Sequence, residues 1–87
     1  MKKVNVTIQI ASGLEARPVA FLVQLASRFE SSVYLMRSDK KVNAKSIMGM
    51  MTLGLVAGES LEIQAEGADE EEAAQAVAKY LSGEVQE

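Results

Sequence analysis

Apolar and polar residues alternate strictly over positions 4–10: Val4, Val6, Ile8 and Ile10 share one face, and Asn5, Thr7 and Gln9 the other. A period of two is that of a half-buried strand. Ala11, Ser12 and Gly13 break the pattern, and the period then changes. Val19, Leu22, Val23, Ala26 and Phe29 recur at helical spacing and predict a helix over about Ala16–Ser27. Pro18 falls in its first turn, where a missing N–H costs nothing. Phe21 and Leu25 form an i, i+4 pair on the flank of the stripe, expected as rim packing, with Phe21 also available to a partner surface.

Period two returns over Ser32–Arg37, with Val33 and Leu35 facing one way. Ser38-Asp39-Lys40 reads as a hairpin turn without glycine, followed by a short strand over Lys40–Asn43 that presents Val42. A short helix capped by Ser46 is expected to end near Leu53, with Gly54 as its C-cap and Gly58 in the following loop. Ser60–Glu66 alternates again, with Leu61, Ile63 and Ala65 inward. Asp69 and Glu72 have capping-box spacing at the start of a last helix. Its buried stripe is Ala73, Ala76, Val77, Tyr80 and Leu81; Gly83 ends it, and residues 84–87 read as a frayed tail. The acidic run 69–72 complements the positive end of that helix. As metal ligands these carboxylates serve poorly, because adjacent helical residues point in different directions.

The order β-α-β-β-α-β-α, with strands that alternate, predicts an α+β fold. It is an open-faced β-sandwich: a four-stranded antiparallel sheet with three helices on one face and the other face open to solvent or partners. Eighty-seven residues suit a single domain over 1–87 with a modest core.

Composition narrows the function. A net charge of −3 without a Lys/Arg cluster or aromatic platform argues against a direct grip on nucleic acid. Neither a signal peptide nor a long apolar run is present, so a cytoplasmic protein without a membrane segment is expected. There is no cysteine and no histidine, which removes thiolate chemistry, histidine catalysis, histidine metal ligation and phosphohistidine relay. No cofactor or metal site is indicated, and the chain is not expected to be an enzyme.

Residues 43–51 hold the most informative feature. Ser46 precedes an apolar run in which Ile47, Met48, Met50, Met51, Leu53 and Leu55 cannot all fit one stripe of a short helix. Ile47, Met48 and Met51 are the ones expected near the surface. Two readings follow. Ser46 is a cap contributing ~1 kcal/mol among gap-filling methionines, or a modifiable hydroxyl next to Lys45 and an exposed apolar docking patch.

Two motifs add a resemblance. Gly13-Leu14-Glu15-Ala16-Arg17-Pro18 resembles the active-centre turn of HPr, the phosphocarrier of the sugar phosphotransferase system. Lys45-Ser46-Ile47-Met48-Gly49 resembles that family's regulatory serine site. The likeness spans nearly the whole chain and implies the HPr-like fold. The family's phosphocarrier histidine falls at position 15, which here is Glu15. A carboxylate facing an anionic donor is a poor substitute for an imidazole that accepts and returns a phosphoryl group. The catabolite-repression branch of the family, Crh, also lacks that histidine and keeps the serine, although it usually carries glutamine there. Residues 40–46 and Arg28-Phe29 are nearer to that branch.

The resemblance implies a bacterial regulatory protein phosphorylated at Ser46 by the bifunctional HPr kinase/phosphorylase and read by a LacI-type catabolite control repressor. A phosphate there would sit at a helix start with little backbone rearrangement. Partner-binding residues implied are Ile47, Met48, Met51, Arg17, Ala20, Phe21, Gln24 and Lys45. Arg17 has Glu15 as a possible ion-pair partner, and Glu15 could supply permanent negative charge where phosphohistidine would be transient. The alternatives are an HPr phosphocarrier substituted at Glu15, and a constitutive module in which Ser46 only caps. A monomer or weak homodimer is expected, with an exposed first strand open to exchange between copies.

Overall fold

The computed structural model describes residues 1–9, 16–53 and 58–83, side chains at 16–18 excepted. The elements are β1 (Lys2–Thr7), α1 (Ala16–Ser27), β2 (Ser32–Arg37), β3 (Lys40–Asn43), α2 (Ile47–Leu53), β4 (Ser60–Glu66) and α3 (Glu70–Leu81). The strands form one sheet in the order β1-β4-β2-β3, and every neighbouring pair is antiparallel. The three helices cover one face, as the element order predicts. Ile10, the break at 11–13, Gly54, Leu55 and the tail lie outside the described residues.

Register explains why the core is continuous. Val4, Ile63, Leu35 and Val42 stand opposite one another across all four strands, so the inward residue of each strand joins one apolar row. Ile63 and Leu35, on the central strands, are fully buried, while Val4 and Val42, on the edges, are half-buried. Val19, Leu22 and Ala26 of α1, Met50 and Leu53 of α2, and Ala73, Val77 and Leu81 of α3 close over this row.

The hairpin between β2 and β3 turns on Ser38 and Asp39, since Arg37 pairs with Lys40. Ser38 takes φ 57, the positive value that a two-residue hairpin demands and that glycine usually supplies.

The structure corrects several expectations. The first strand begins at Lys2 and ends at Thr7, not over 4–10. Ile8 still donates its N–H to the Glu59 carbonyl (2.8 Å), but the next N–H, of Gln9, goes to Leu81 at the end of α3 (2.7 Å). The chain trades a strand partner for a helix terminus there, and alternation alone does not reveal the change.

Leu25 is buried in the core, not at a rim, and Val23 is only half-buried. Helix α1 packs against both α2 and α3, so its apolar arc is wider than a single stripe. Phe21 lies over α3, its ring 4.7 Å from that of Tyr80 at an interplanar angle of 42°. On α3, Ala74 is fully buried whereas Ala76 is only partly so.

The capping box at Asp69 does not form. Its carboxylate accepts the N–H groups of Glu30 (3.0 Å) and Ser31 (2.9 Å) and the Ser31 hydroxyl, binding the α1–β2 turn to the start of α3. Glu70 faces back instead and accepts the Gly67 N–H (3.1 Å). The Ser31 hydroxyl first, then the two backbone donors, hold the Asp69 carboxyl below its ordinary value of 3.8. On the open sheet face Gln64 is unexpectedly buried, its amide donating to Glu62 (2.6 Å) and to the Met36 sulfur (3.1 Å).

Candidate functional site

Four residues carry the chain from the edge strand β3 into α2. Asn43 accepts twice: its Oδ1 takes the Lys45 N–H (2.8 Å) and its carbonyl takes the Ser46 N–H (3.0 Å). This is an Asx turn, the local closure that asparagine favours. Ala44 is fully buried, and its N–H donates to the Val33 carbonyl (2.8 Å), which ties the turn to the sheet. Ser46 is thereby delivered as the N-cap of α2. Its carbonyl accepts the Met50 N–H (3.0 Å) and its Oγ accepts the Gly49 N–H (3.2 Å).

The Ser46 hydroxyl is half-buried, not sealed in. Among the described residues it makes only the Gly49 hydrogen bond, as acceptor, and no base among them touches it. Such a hydroxyl does not attack a phosphorus centre unaided. An enzyme that modifies it must bring the base that takes its proton.

Helix α2 has seven residues, of which Met50 and Leu53 are buried. The remaining apolar side chains point outward: Met48 is 78% exposed, Met51 57% and Ile47 44%, matching the exposure expected from the overfull apolar run. The far end of the helix is held by Arg37, which donates to the Leu53 carbonyl (2.7 Å) and to the Glu59 carboxylate (2.7 Å). A short helix held at both ends thus presents three large apolar groups beside a serine.

The other residues implied by the resemblance are placed less uniformly. Lys45 is half-buried and its ammonium donates to the Phe29 carbonyl (2.8 Å), so that charge is engaged at the end of α1. Ala20 is half-buried and Gln24 exposed on α1, which packs beside α2. Phe21 is half-buried and its ring packs on Tyr80 of α3. Arg17 lies in the first turn of α1 with its side chain outside the described residues, and Glu15 lies wholly outside them. The Glu15–Arg17 pairing therefore falls outside the described residues as well. Among those residues no group of three metal-ligating side chains occurs, and no helix is long and apolar enough to cross a membrane.

Sequence reasoning missed two parts of this arrangement. Asn43 was legible in principle, since an asparagine two residues before the chain turns is an Asx-turn signal. The Lys45–Phe29 bond, between residues sixteen apart, has no local signal.

Comparison with known proteins agrees with this geometry. A family model described as "PTS HPr component phosphorylation site" matches residues 2–82. The HPr-like protein Crh of Bacillus subtilis (strain 168) is 46% identical over 85 residues, spanning 98% of this chain and 100% of that protein. Among solved structures, HPr-C-His from Thermoanaerobacter tengcongensis gives a TM-score of 0.89 at 46% identity, covering 97% of this chain and 94% of that one. Crystalline selenomethionyl Crh of Bacillus subtilis gives 0.79 at 45% identity with 100% of both chains covered; it is described as a dimer with a swapping domain.

Proposed function

Since the chain belongs to the HPr family, we propose that it is a regulatory protein of carbon catabolite repression, switched by phosphorylation of Ser46. Crh of Bacillus subtilis, a relative, is described as the catabolite repression HPr. One observation carries the proposal: a half-buried serine hydroxyl, accepting only the Gly49 N–H among the described residues, stands next to Ile47, Met48 and Met51, all exposed on the same short helix. A phosphoryl group would add about −1.5 to −2 charges beside that apolar area. A partner then finds both a hydrophobic footprint and an anion suited to an arginine or lysine.

The modification leaves the backbone in place. Both backbone bonds at Ser46, to Asn43 and from Met50, are independent of Oγ, so only the Gly49 N–H changes its partner. The enzyme that writes and erases the mark is the bifunctional HPr kinase/phosphorylase, and the reader is a LacI-type catabolite control repressor. Ala20 and Gln24 of α1 extend the docking face, and the family resemblance adds Arg17; Phe21 contributes the part of its ring that Tyr80 leaves uncovered. The chain itself is not an enzyme in this reading. It works in the cytoplasm, as a monomer or a weak homodimer exchanging β1, which lies at the sheet edge.

A second reading is an HPr phosphocarrier bearing a substitution at Glu15, kept because an HPr is as similar to this chain, at 46%, as a Crh is. Phosphohistidine transfer has no acceptor nitrogen in a chain without histidine. The deciding experiment incubates the protein with ATP and HPr kinase, and separately with phosphoenolpyruvate and the general phosphotransferase enzyme, and maps phosphate by mass spectrometry. Label at Ser46 from the kinase alone, followed by repressor binding, is expected. Label at Glu15 from the second mixture would restore the carrier reading, and no label in either would leave Ser46 a cap.

A further inference from the structure

The three large apolar groups exposed on α2 differ chemically, because two of them carry a thioether sulfur. Met48 and Met51 are three residues apart and so lie on adjoining positions of the same helix surface, next to Ile47. The remaining methionines are placed differently. Met50, between them, is fully buried. Met36 is half-buried and its sulfur already accepts the Gln64 amide. Met1 is exposed, but it belongs to the start of β1, where its ammonium faces Glu70 (3.5 Å).

We propose that Met48 and Met51 form an oxidation site through which peroxide switches the docking face off while leaving the fold intact. A sulfur lone pair attacks one oxygen of hydrogen peroxide and the O–O bond breaks. One oxygen stays on sulfur as the sulfoxide and the other leaves as water. The sulfide is oxidised by two electrons and the peroxide reduced by two. Susceptibility of thioethers to a dissolved oxidant rises with solvent access. The expected order is therefore Met48 first, then Met51 and the similarly exposed Met1, which lies off α2, with Met36 slower and Met50 protected by the core.

The consequence for docking follows from polarity. A sulfoxide oxygen is a strong hydrogen-bond acceptor on what was an apolar, adaptable side chain. A partner surface shaped to cover methionine would bury that acceptor without a donor. Two of the three exposed apolar groups change at once, and only Ile47 is left. The core loses nothing, because Met50 and Leu53, which seat α2, are out of reach. The effect is separate from the charge on Ser46, so oxidation silences a phosphorylated protein without removing its phosphate. A sulfoxide can be returned to the thioether by methionine sulfoxide reductases, which makes the state reversible.

This inference rests on the reading of α2 as a docking face, and its test keeps the two apart. The Ser46-phosphorylated chain is treated with hydrogen peroxide for increasing times, sulfoxides are placed by tandem mass spectrometry, and folding is followed by circular dichroism. Binding to the catabolite control repressor is measured before and after. The expected result is oxidation at Met48 and Met51 with Met50 intact, an unchanged spectrum, and binding weakened about tenfold or more. The Met48→Leu/Met51→Leu double variant carries no sulfur on the outer side of α2, so whatever binding it shows before treatment is expected to be the same after peroxide, whereas the parent's falls. Oxidation of Met50 as fast as Met48, or unchanged binding by a folded chain oxidised at both exposed positions, overturns the inference while the docking reading stands. Failure of the untreated phosphorylated chain to bind overturns the docking reading itself, and the switch with it.

Discussion

Ser46 has two tasks, closing the start of α2 and offering a hydroxyl for modification, and substitution separates them. Ser46→Ala removes the acceptor of the Gly49 N–H while leaving both backbone bonds at position 46 in place. Loss of a serine cap costs about 0.5–2 kcal/mol in general. The 3.2 Å bond is long for its type and half-buried, which puts the expected loss near the middle, ~1 kcal/mol. In a domain of this size that is a fall in Tm of roughly 4–8 °C. Ser46→Asp restores an acceptor with a negative charge at a position that favours aspartate, so its stability should lie within ~0.5 kcal/mol of the parent.

The assay is urea unfolding followed by circular dichroism, with unchanged slopes confirming that only the midpoint moves. Kinase labelling is expected to vanish in both variants, while the stability loss appears only in alanine. Should alanine prove as stable as serine, or aspartate as unstable as alanine, the hydroxyl is not closing the helix and the cap geometry is refuted.

Further tests bear on the frame around the site. At Gly67, with φ +149, an added Cβ would stand 2.7 Å from the Ser31 Cα, so Gly67→Ala should cost about 3 kcal/mol or more. Because the opposing atom is backbone, adding Ser31→Ala should rescue little. Gly58→Ala meets nothing within 4 Å and should cost only about 1–2 kcal/mol for its positive φ; equal losses at the two sites in urea melts would contradict the contact. Asp69 titrates below 3.8 in the fold, so it holds fewer protons than in the unfolded chain. Its contribution is complete above that value and fades as pH falls through the lower folded one. Asp69→Asn should therefore be less stable near neutrality and converge on the parent as pH falls through the lowered value of the folded state; a pH-independent gap would refute this. Lys45→Met keeps the apolar stem but frees the Phe29 carbonyl, and a loss of about 1–2 kcal/mol is expected in the same melts.

What was legible in the sequence was local, or repeated at a fixed period. The bounds of α1, β2, β3 and β4 and the cap at Ser46 depend on residues a few positions apart. The exposure of Met48 and Met51 followed from a count, since a short helix cannot bury so many apolar groups. The misreadings share the opposite cause. Asp69 has the spacing of a helix cap, but three donors at Glu30 and Ser31, with the Ser31 N–H 38 residues away in sequence, outbid the local N–H groups for its carboxylate. Leu25 is buried because α1 meets two helices, α2 and α3. Gln64 sits on the polar side of its strand yet is covered, its amide satisfied by Met36 and Glu62. The role of Arg37 at the end of α2 likewise had no sequence signal.

The same distinction accounts for where a modifiable site can sit. Seven residues are too few for a stable helix on their own. Helix α2 is held by groups outside itself: Asn43 and Ala44 before it, Arg37 at its far end, and the burial of Met50 and Leu53 beneath. None of these involves the Ser46 oxygen or the outward side chains. The helix can therefore gain a phosphate at one end, or change the polarity of its outer surface, without drawing on the interactions that keep it folded. A longer helix with a full apolar stripe would bury its methionines and leave little to recognise. One without the external holds would melt when its cap was altered. Exposed apolar area beside a hydroxyl persists here because the stability of α2 is supplied from elsewhere in the sandwich, and that separation is what lets a surface change act as a signal.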